Sequence, residues 1–234
     1  SPAAPAWWVA SARAIAGMAW VIIGCLLLLA VFAERIILLT ERVLGGIHPA
    51  MGVRFGVPAA VLVLAFVGML LFRRPFRLAR RRRELAWIAF PIGMGAVLAL
   101  LAIAVAGGVA VPGVEPPPVV AGALLTGTFV IFVQVLGEEV LLRGLLQPLL
   151  TRAWGAALGV LLTALTFTFI HVLGGWKEPI SLLNITLAGI WFGLLALRTS
   201  GLVAPTLAHF GYNWGEEMLI GASPNPGVGD FGAL

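Results

Sequence analysis

The chain has 234 residues, of which 61% are hydrophobic and 11% are charged, with a net charge of +5 and a mean hydropathy of +1.06. A water-soluble domain of this length cannot hide so much apolar surface, because a large part of any folded surface must face the solvent. The composition therefore excludes a soluble globular protein and predicts a polytopic membrane protein, for which lipid is the solvent.

Apolar length predicts seven spanning segments, since about 20 apolar residues cross a bilayer as a helix. They are residues 14–33, 55–72, 86–111, 120–150, 155–173, 181–198 and 202–221. The expected fold class is all-α, a polytopic transmembrane helical bundle of about seven or eight spanning helices. A lead-in at 1–13 and a Gly- and Pro-rich tail at 223–234 flank two groups of helices, 14–118 and 119–222.

A basic loop, "RRPFRLARRRRE" at residues 73–84, separates the second and third segments and holds seven of the fifteen Lys and Arg residues. The positive-inside rule places it in the cytoplasm, where anionic lipid head groups are its expected contacts. Nucleic acid is not an expected partner, because the loop is a short connector between two spans. The loop predicted at 34–54 argues weakly against this orientation, because it contains Arg35, Arg42 and Arg54.

The fourth segment contains the adjacent acids Glu138 and Glu139 followed by Arg143. A carboxylate at the centre of a spanning helix costs about 2.5–3.5 kcal/mol on insertion scales. Glu139 and Arg143 are four residues apart, so they can form an ion pair on one helix face. Glu138 projects about 100° away and needs water, a metal, a proton or a partner from another helix. Gln134, one turn earlier, is within hydrogen-bonding reach of Glu138 or packs between helices.

Two later segments carry polar pairs at the same spacing. Phe167 and His171 share a face of the fifth segment, and His209 and Asn213 share a face of the seventh. Polar groups from three helices predict an assembled site around a polar intramembrane cavity, with Glu138 at its centre.

Depth along the helices places His171 near the outer end of the fifth segment, too far from Glu138 if that helix is straight and upright. The segment must then be tilted, broken or begin deeper in the membrane. Asn184, on the sixth segment, either joins helices or supports the site. Glu217 lies a turn beyond Asn213 and is expected at the outer interface, where water solvates it.

The three motifs, "EEVLLR", "FTFIH" and "HFGYN", resemble the successive EExxxR, FxxxH and HxxxN motifs of the CPBP family. That family contains the type II CAAX prenyl proteases and bacterial relatives linked to bacteriocin processing or self-immunity. All three occur in order on hydrophobic segments between residues 120 and 222, so the resemblance assigns 119–222 as the catalytic core.

The resemblance implies an intramembrane peptidase with Glu138 as the general base that activates water. It implies that His171 positions or polarises that water and that His209 and Asn213 stabilise the oxyanion. Glu139 and Arg143 would brace the site. The favoured interpretation needs no metal or other cofactor. The alternative is zinc held by Glu138, His171 and His209, with an open position for water.

The expected substrate is a membrane peptide or a lipidated protein, and the Ala-, Arg- and Gly-rich composition suggests a bacterial cytoplasmic membrane. Other intramembrane proteases do not fit, because the chain has one aspartate, Asp230, and no HExxH motif. Two alternatives of another class are a non-catalytic scaffold or bacteriocin-immunity protein of the same family and a small proton-coupled transporter. The lack of an inverted repeat weighs against the transporter.

Overall fold

The computed structural model describes residues 6–46, 51–78, 82, 84–108 and 121–220, without the side chains of 121–124 and 219–220. In these parts the chain is helical and contains no strand, which confirms the predicted all-α class. The α-helices are α1 (Ala6–Leu27), α2 (Ala33–Leu44), α3 (Val57–Leu71), α4 (Glu84–Ala106), α5 (Ala121–Glu139), α6 (Gln147–Trp154), α7 (Ala156–Leu173), α8 (Pro179–Thr199) and α9 (Val203–Trp214).

Wide π-helical segments connect or extend several of these helices. Leu28–Phe32 joins α1 to α2, and Val140–Leu146 joins α5 to α6. Gly52–Gly56 leads into α3, and Gly215–Ile220 continues α9. The described residues therefore form seven continuous helical rods, one for each predicted segment.

Five of these rods are long and apolar enough to span a membrane. They are Ala6–Leu44, Gly52–Leu71, Glu84–Ala106, Ala156–Leu173 and Pro179–Thr199. The chain is thus an integral membrane protein, as its composition predicts. The other two rods, at 121–154 and 203–220, carry the two glutamates and the HxxxN motif.

The first rod differs from the prediction at both ends. It begins at Ala6, inside the predicted lead-in, and it runs through the first half of the predicted 34–54 loop to Leu44. Apolar length alone misses α2 because its charged residues lie on one face of an amphipathic helix. At 1.5 Å per residue the 39-residue rod is about 58 Å long, so part of it extends beyond a hydrocarbon core of about 30 Å.

The rod at 121–154 is the centre of the bundle. Its middle turns, from Val140 to Leu150, are almost completely buried against α1, α3 and α7. This burial explains why its ionisable side chains face protein rather than lipid.

A close helix crossing fixes α9 against α4. A Cβ on Gly93 would overlap the carbonyl oxygen of Ala208, and one on Gly211 would overlap the carbonyl oxygen of Phe90. Backbones can approach this closely only where the side chain is a hydrogen atom, a common device of membrane helices. Since Gly211 lies between His209 and Asn213, the crossing holds the HxxxN motif in place.

Candidate active site

The ion pair predicted from the four-residue spacing is present. Arg143 Nη1 donates to Glu139 Oε1 at 2.7 Å, and both side chains are completely buried. Arg143 Nη2 donates to the carbonyl oxygen of Gly189 on α8 at 3.0 Å. Arg143 lies in the π-helical segment that follows α5, a feature often found at functional sites. The pair therefore ties the central rod to α8.

His209 lies between the two glutamates. Its Nδ1 is 2.9 Å from Glu139 Oε1, and its Nε2 is 3.7 Å from Glu138 Oε2. A carboxylate that already accepts from Arg143 can only accept again, so Nδ1 carries the proton and donates it to Glu139. The same hydrogen bond directs Nε2 towards Glu138.

Aromatic rings hold the imidazole of His209 and the guanidinium of Arg143. Phe192 stacks on His209 with ring centroids 4.6 Å apart, and Phe167 meets the same ring edge to face at 5.7 Å. The Arg143 guanidinium carbon lies 5.0 Å from the centroid of Phe167 and 5.6 Å from that of Phe192. These distances are within cation–π range, so Phe167 positions two charged or polar groups at once.

Glu138 is the glutamate that faces open space. Its side chain is 20% exposed, whereas that of Glu139 is fully buried. Gln134 Nε2 donates to Glu138 Oε1 at 3.4 Å, so the hydrogen bond expected one turn away is present but long. Glu138 lines an apolar cavity of about 330 Å³ between the first two rods and the central rod, bordered by Cys25, Val57 and Leu141 among others.

A second, smaller cavity of about 100 Å³ adjoins the apolar one and is lined by His171, His209 and Asn213. Gln134, Phe167, His171 and Trp176 line both cavities. Asn213 is half-buried in the small cavity. The two cavities thus bring together residues from all three motifs, although Glu139 and Arg143 line neither of them.

His171 and Glu138 line the same apolar cavity, so one of the three alternatives given for the fifth segment, a tilt, a break or a deeper start, has to account for the difference from a straight and upright helix. The helix α7 is unbroken and ends two residues beyond His171, so neither a break nor a later start accounts for the difference. The depth of His171 was calculated for upright helices, whereas helices in a bundle can be tilted. His171 Nδ1 lies 2.9 Å from the carbonyl oxygen of Phe167, leaving Nε2 available to the cavities.

Asn184 joins α8 to α9. Its Nδ2 donates to the hydroxyl oxygen of Tyr212 at 2.8 Å, and both residues line the small cavity. The two sequence-based alternatives for Asn184, a helix contact and support of the site, are therefore compatible.

Sequence analysis missed a buried ion pair at the edge of the site. Arg54 Nη2 donates to Glu217 Oε2 at 3.0 Å, and both side chains are less than a tenth exposed. The expected solvation of Glu217 at an interface is thus wrong. Both residues are charges within apolar runs, the signal that marked Glu138 and that also identifies this pair.

No group of three His, Cys, Asp or Glu side chains in the described ranges is arranged to hold a metal ion. Within the proposed zinc set, His209 Nδ1 and His171 Nδ1 are each engaged with protein oxygens. Metal binding would therefore use the Nε2 atom of both rings together with Glu138.

A comparison with known protein families matches the second half of the chain. Residues 120–215 match the family model described as "Type II CAAX prenyl endopeptidase Rce1-like". This range contains every residue of the three motifs, so the resemblance inferred from them is confirmed for this part of the chain. The family that this region resembles is one of CAAX-type intramembrane proteases. No curated protein and no solved structure matches the chain.

Proposed function

We propose that the protein is an intramembrane endopeptidase that hydrolyses a peptide bond near the membrane with a water activated by Glu138. One observation carries this proposal: Glu138 Oε2 and His209 Nε2 are 3.7 Å apart at the junction of two cavities. This separation is too long for a direct hydrogen bond, but it is shorter than two hydrogen-bond lengths. A single water can therefore contact both atoms.

Each glutamate has a separate task in this proposal. Glu139 is held by Arg143 and orients His209 through the Nδ1 hydrogen bond. Glu138 has no arginine within its own turn and faces the cavity, so it is free to take a proton from water. The buried carboxylate thus acts as a positioning group, and the partly exposed one acts as the base.

The reaction proceeds through a tetrahedral intermediate. Water oxygen attacks the carbonyl carbon as Glu138 takes one water proton, and the carbonyl oxygen becomes an oxyanion. The Asn213 amide would donate to that oxyanion, and so would His209 as an imidazolium, which keeps its proton on Nδ1 and carries a second one from solvent on Nε2. The free Nε2 of His171 would orient the water. The C–N bond then breaks, and Glu138 transfers its proton to the leaving amine.

The lining of the apolar cavity is suited to a substrate that reaches Glu138 from the lipid side. Its walls are mostly aliphatic side chains from the first two rods and the central rod. Its polar lining residues are Arg54, Gln134, Glu138 and His171. Such a cavity suits a membrane peptide or a lipidated protein chain in a bacterial cytoplasmic membrane. Membrane lipids and this substrate are the proposed partners.

Zinc remains the alternative to a metal-free reaction. Glu138, His171 and His209 would hold the ion, which would supply a Lewis acid and lower the pKa of its bound water. The favoured mechanism requires no ion, because Glu138 and His209 can already share one water.

The test is cleavage of quenched peptides by the purified protein in nanodiscs. The substrates carry a prenylated or an unmodified cysteine, and each is assayed with and without a chelator. Glu138→Gln keeps the shape of the side chain and removes the base, so cleavage should fall to background while the protein remains folded. Glu84→Gln is the matched control, because it makes the same chemical change at an exposed residue outside the site.

The glutamate mechanism would be supported if Glu138→Gln loses cleavage, Glu84→Gln keeps it, and the chelator does not change cleavage by the unmodified protein. If the chelator abolishes cleavage by the unmodified protein and added zinc restores it, the metal alternative would be established. Full activity of Glu138→Gln would refute the assignment of the base. If no peptide is cleaved, a family-related scaffold or immunity role becomes the better proposal, and proton-driven uptake into liposomes would point to a carrier.

A further inference from the structure

A third cavity, which Glu138 does not line, opens beside the basic loop. It has a volume of about 390 Å³ and lies between the residues after α3, the end of the central rod and the α8–α9 connection. Four arginines line its wall, Arg74, Arg77, Arg143 and Arg152, and Gln147 and Thr151 contribute neutral polar groups. We call it the basic cavity. A water occupies about 30 Å³ in the liquid, so the basic cavity has room for a hydrated anion.

Glu139 balances the charge of Arg143, but the other three arginines of the basic cavity form no salt bridge within the described part of the chain. Burial lowers the pKa of Arg74, and the neighbouring charges of Arg77, Arg13 and Arg152 lower it further. Like charges held close together without an acid favour the binding of an anion among them.

The backbone around the basic cavity is held in place by hydrogen bonds. Leu202 N donates to the carbonyl oxygen of Arg77, and Val203 N donates to that of Leu78, each at 3.0 Å. Arg13 on α1 donates to the carbonyl oxygen of Phe72. These bonds tie the loop to the α8–α9 connection and to α1, so the arginines are presented by a fixed segment.

Three of the residues that line the basic cavity have a buried polar atom without a partner. Within the described residues, Arg74 Nε, Gln147 Oε1 and Thr151 Oγ1 are buried and make no hydrogen bond. A buried donor left unpaired is costly, and both the guanidinium Nε–H of Arg74 and the hydroxyl of Thr151 can donate to an anionic oxygen. A tetrahedral oxyanion offers acceptors for several donors at once.

We propose that the basic cavity binds the phosphate group of an anionic ligand. Its position beside the loop assigned to the cytoplasmic face makes an anionic phospholipid head group one source of that phosphate. A soluble phosphate is the other source. The basic cavity shares Arg143 with the polar centre of the cleavage site, but Glu138, His171, His209 and Asn213 do not line it. Its test does not depend on peptidase activity.

The experiment measures the thermal unfolding of the purified protein in detergent as the ligand is added. The probes are short-chain phosphatidylglycerol, phosphatidylcholine with the same acyl chains, and inorganic phosphate. Phosphatidylglycerol should raise the Tm with saturation, and phosphatidylcholine should not. Arg74→Gln and Arg152→Gln should each weaken the apparent affinity about tenfold, as expected for a lost hydrogen bond to a charged group.

Arg198→Gln is the matched control, because Arg198 is an exposed arginine at the end of α8 that does not line the basic cavity. It should bind as the unmodified protein does. If Arg74→Gln does not fold, Arg77→Gln and Arg152→Gln carry the same test, since both side chains are exposed. A Tm response to inorganic phosphate that the cavity variants lose would assign the site to soluble phosphates. The proposal would be overturned if both lipids raise the Tm equally. It would also be overturned if Arg198→Gln loses as much affinity for phosphatidylglycerol as the cavity variants do.

Discussion

Glu139 is the residue on which the polar centre depends, because one of its oxygens accepts from both Arg143 and His209. A single carboxylate thereby fixes two side chains from different rods. Removing either donor leaves the charge of Glu139 less well compensated in a buried setting, and removing Glu139 leaves a buried guanidinium. The three groups should behave as one unit, with non-additive effects of substitution.

Arg143→Ala should destabilise the protein strongly, by about 3–5 kcal/mol, because it leaves Glu139 buried without its ion-pair partner. The measurement is thermal unfolding of the purified protein in detergent. Arg198→Ala removes an exposed arginine and should change stability by no more than about 0.5 kcal/mol. Similar stabilities for the two variants would show that the Glu139–Arg143 pair contributes little to folding.

At the residue scale, the sequence predicts contacts within one helix better than contacts between helices. The spacing of Glu139 and Arg143 predicts their ion pair, and that of Gln134 and Glu138 indicates their hydrogen bond. The bond from His209 to Glu139 spans 70 positions, and no periodicity encodes it. Sequence analysis could identify the polar residues of the site but not which glutamate holds the histidine.

At the scale of the helices, apolar length predicts the number of rods but not all of their bounds. It misses α2, whose charges interrupt the apolar run while remaining on one helix face. It also cannot predict the π-helical turns that follow Glu139 and Trp214, because their sequences are as apolar as those of the flanking helices. Both turns adjoin the site, where a local change of helix pitch alters the direction of side chains such as Arg143 and Glu217.

The contact between α4 and α9 gives an element-scale prediction. Gly93→Ala should place a methyl group against the carbonyl oxygen of Ala208 and force the two helices apart. We expect a loss of about 1–3 kcal/mol in stability and a parallel loss of cleavage, since α9 carries His209 and Asn213. Tm and peptidase assays on the same preparation provide the measurement.

Gly95→Ala is the control for this crossing. It makes the same substitution two residues away on α4, where an added Cβ meets no atom within 4 Å. Its stability should be unchanged or slightly higher, because alanine favours a helix more than glycine does. Equal effects of the two substitutions would mean that helix propensity, rather than the crossing, determines the result.

The Arg54–Glu217 ion pair joins two π-helical segments, Gly52–Gly56 and Gly215–Ile220. Arg54→Met and Glu217→Met should each destabilise the protein by about 3–5 kcal/mol, because each leaves the other charge buried without this partner. The double variant should lose less than the sum of the two single losses. Unfolding of all four proteins in one detergent gives the coupling energy, and strictly additive losses would contradict a direct pairing.

At the scale of the whole molecule, the distribution of arginines now agrees better with one orientation. Arg13 donates to Phe72 at the start of the basic loop, and both Arg13 and Arg152 lie near enough to Arg74 to lower its pKa. The start of the first rod, the described part of the basic loop and the end of the central rod therefore lie at one end of the bundle. Arg54, which argued against this orientation as a loop charge, is a buried ion-pair partner and does not bear on it.

The positive-inside rule then predicts that residues 73–83 face the cytoplasm and that the α7–α8 connection faces the opposite side. The only cysteine, Cys25, is buried, so it can be replaced by alanine to give a background without thiols. In that background Leu78→Cys and Lys177→Cys place one exposed thiol on each proposed side. A membrane-impermeant maleimide applied to bacterial spheroplasts should label Lys177→Cys at once and Leu78→Cys only after the membrane is permeabilised. The reverse order of labelling would invert the topology and move the basic cavity to the outer face. In the seven-rod arrangement an odd number of crossings separates the two positions. Labelling of both thiols in intact spheroplasts would therefore contradict that arrangement.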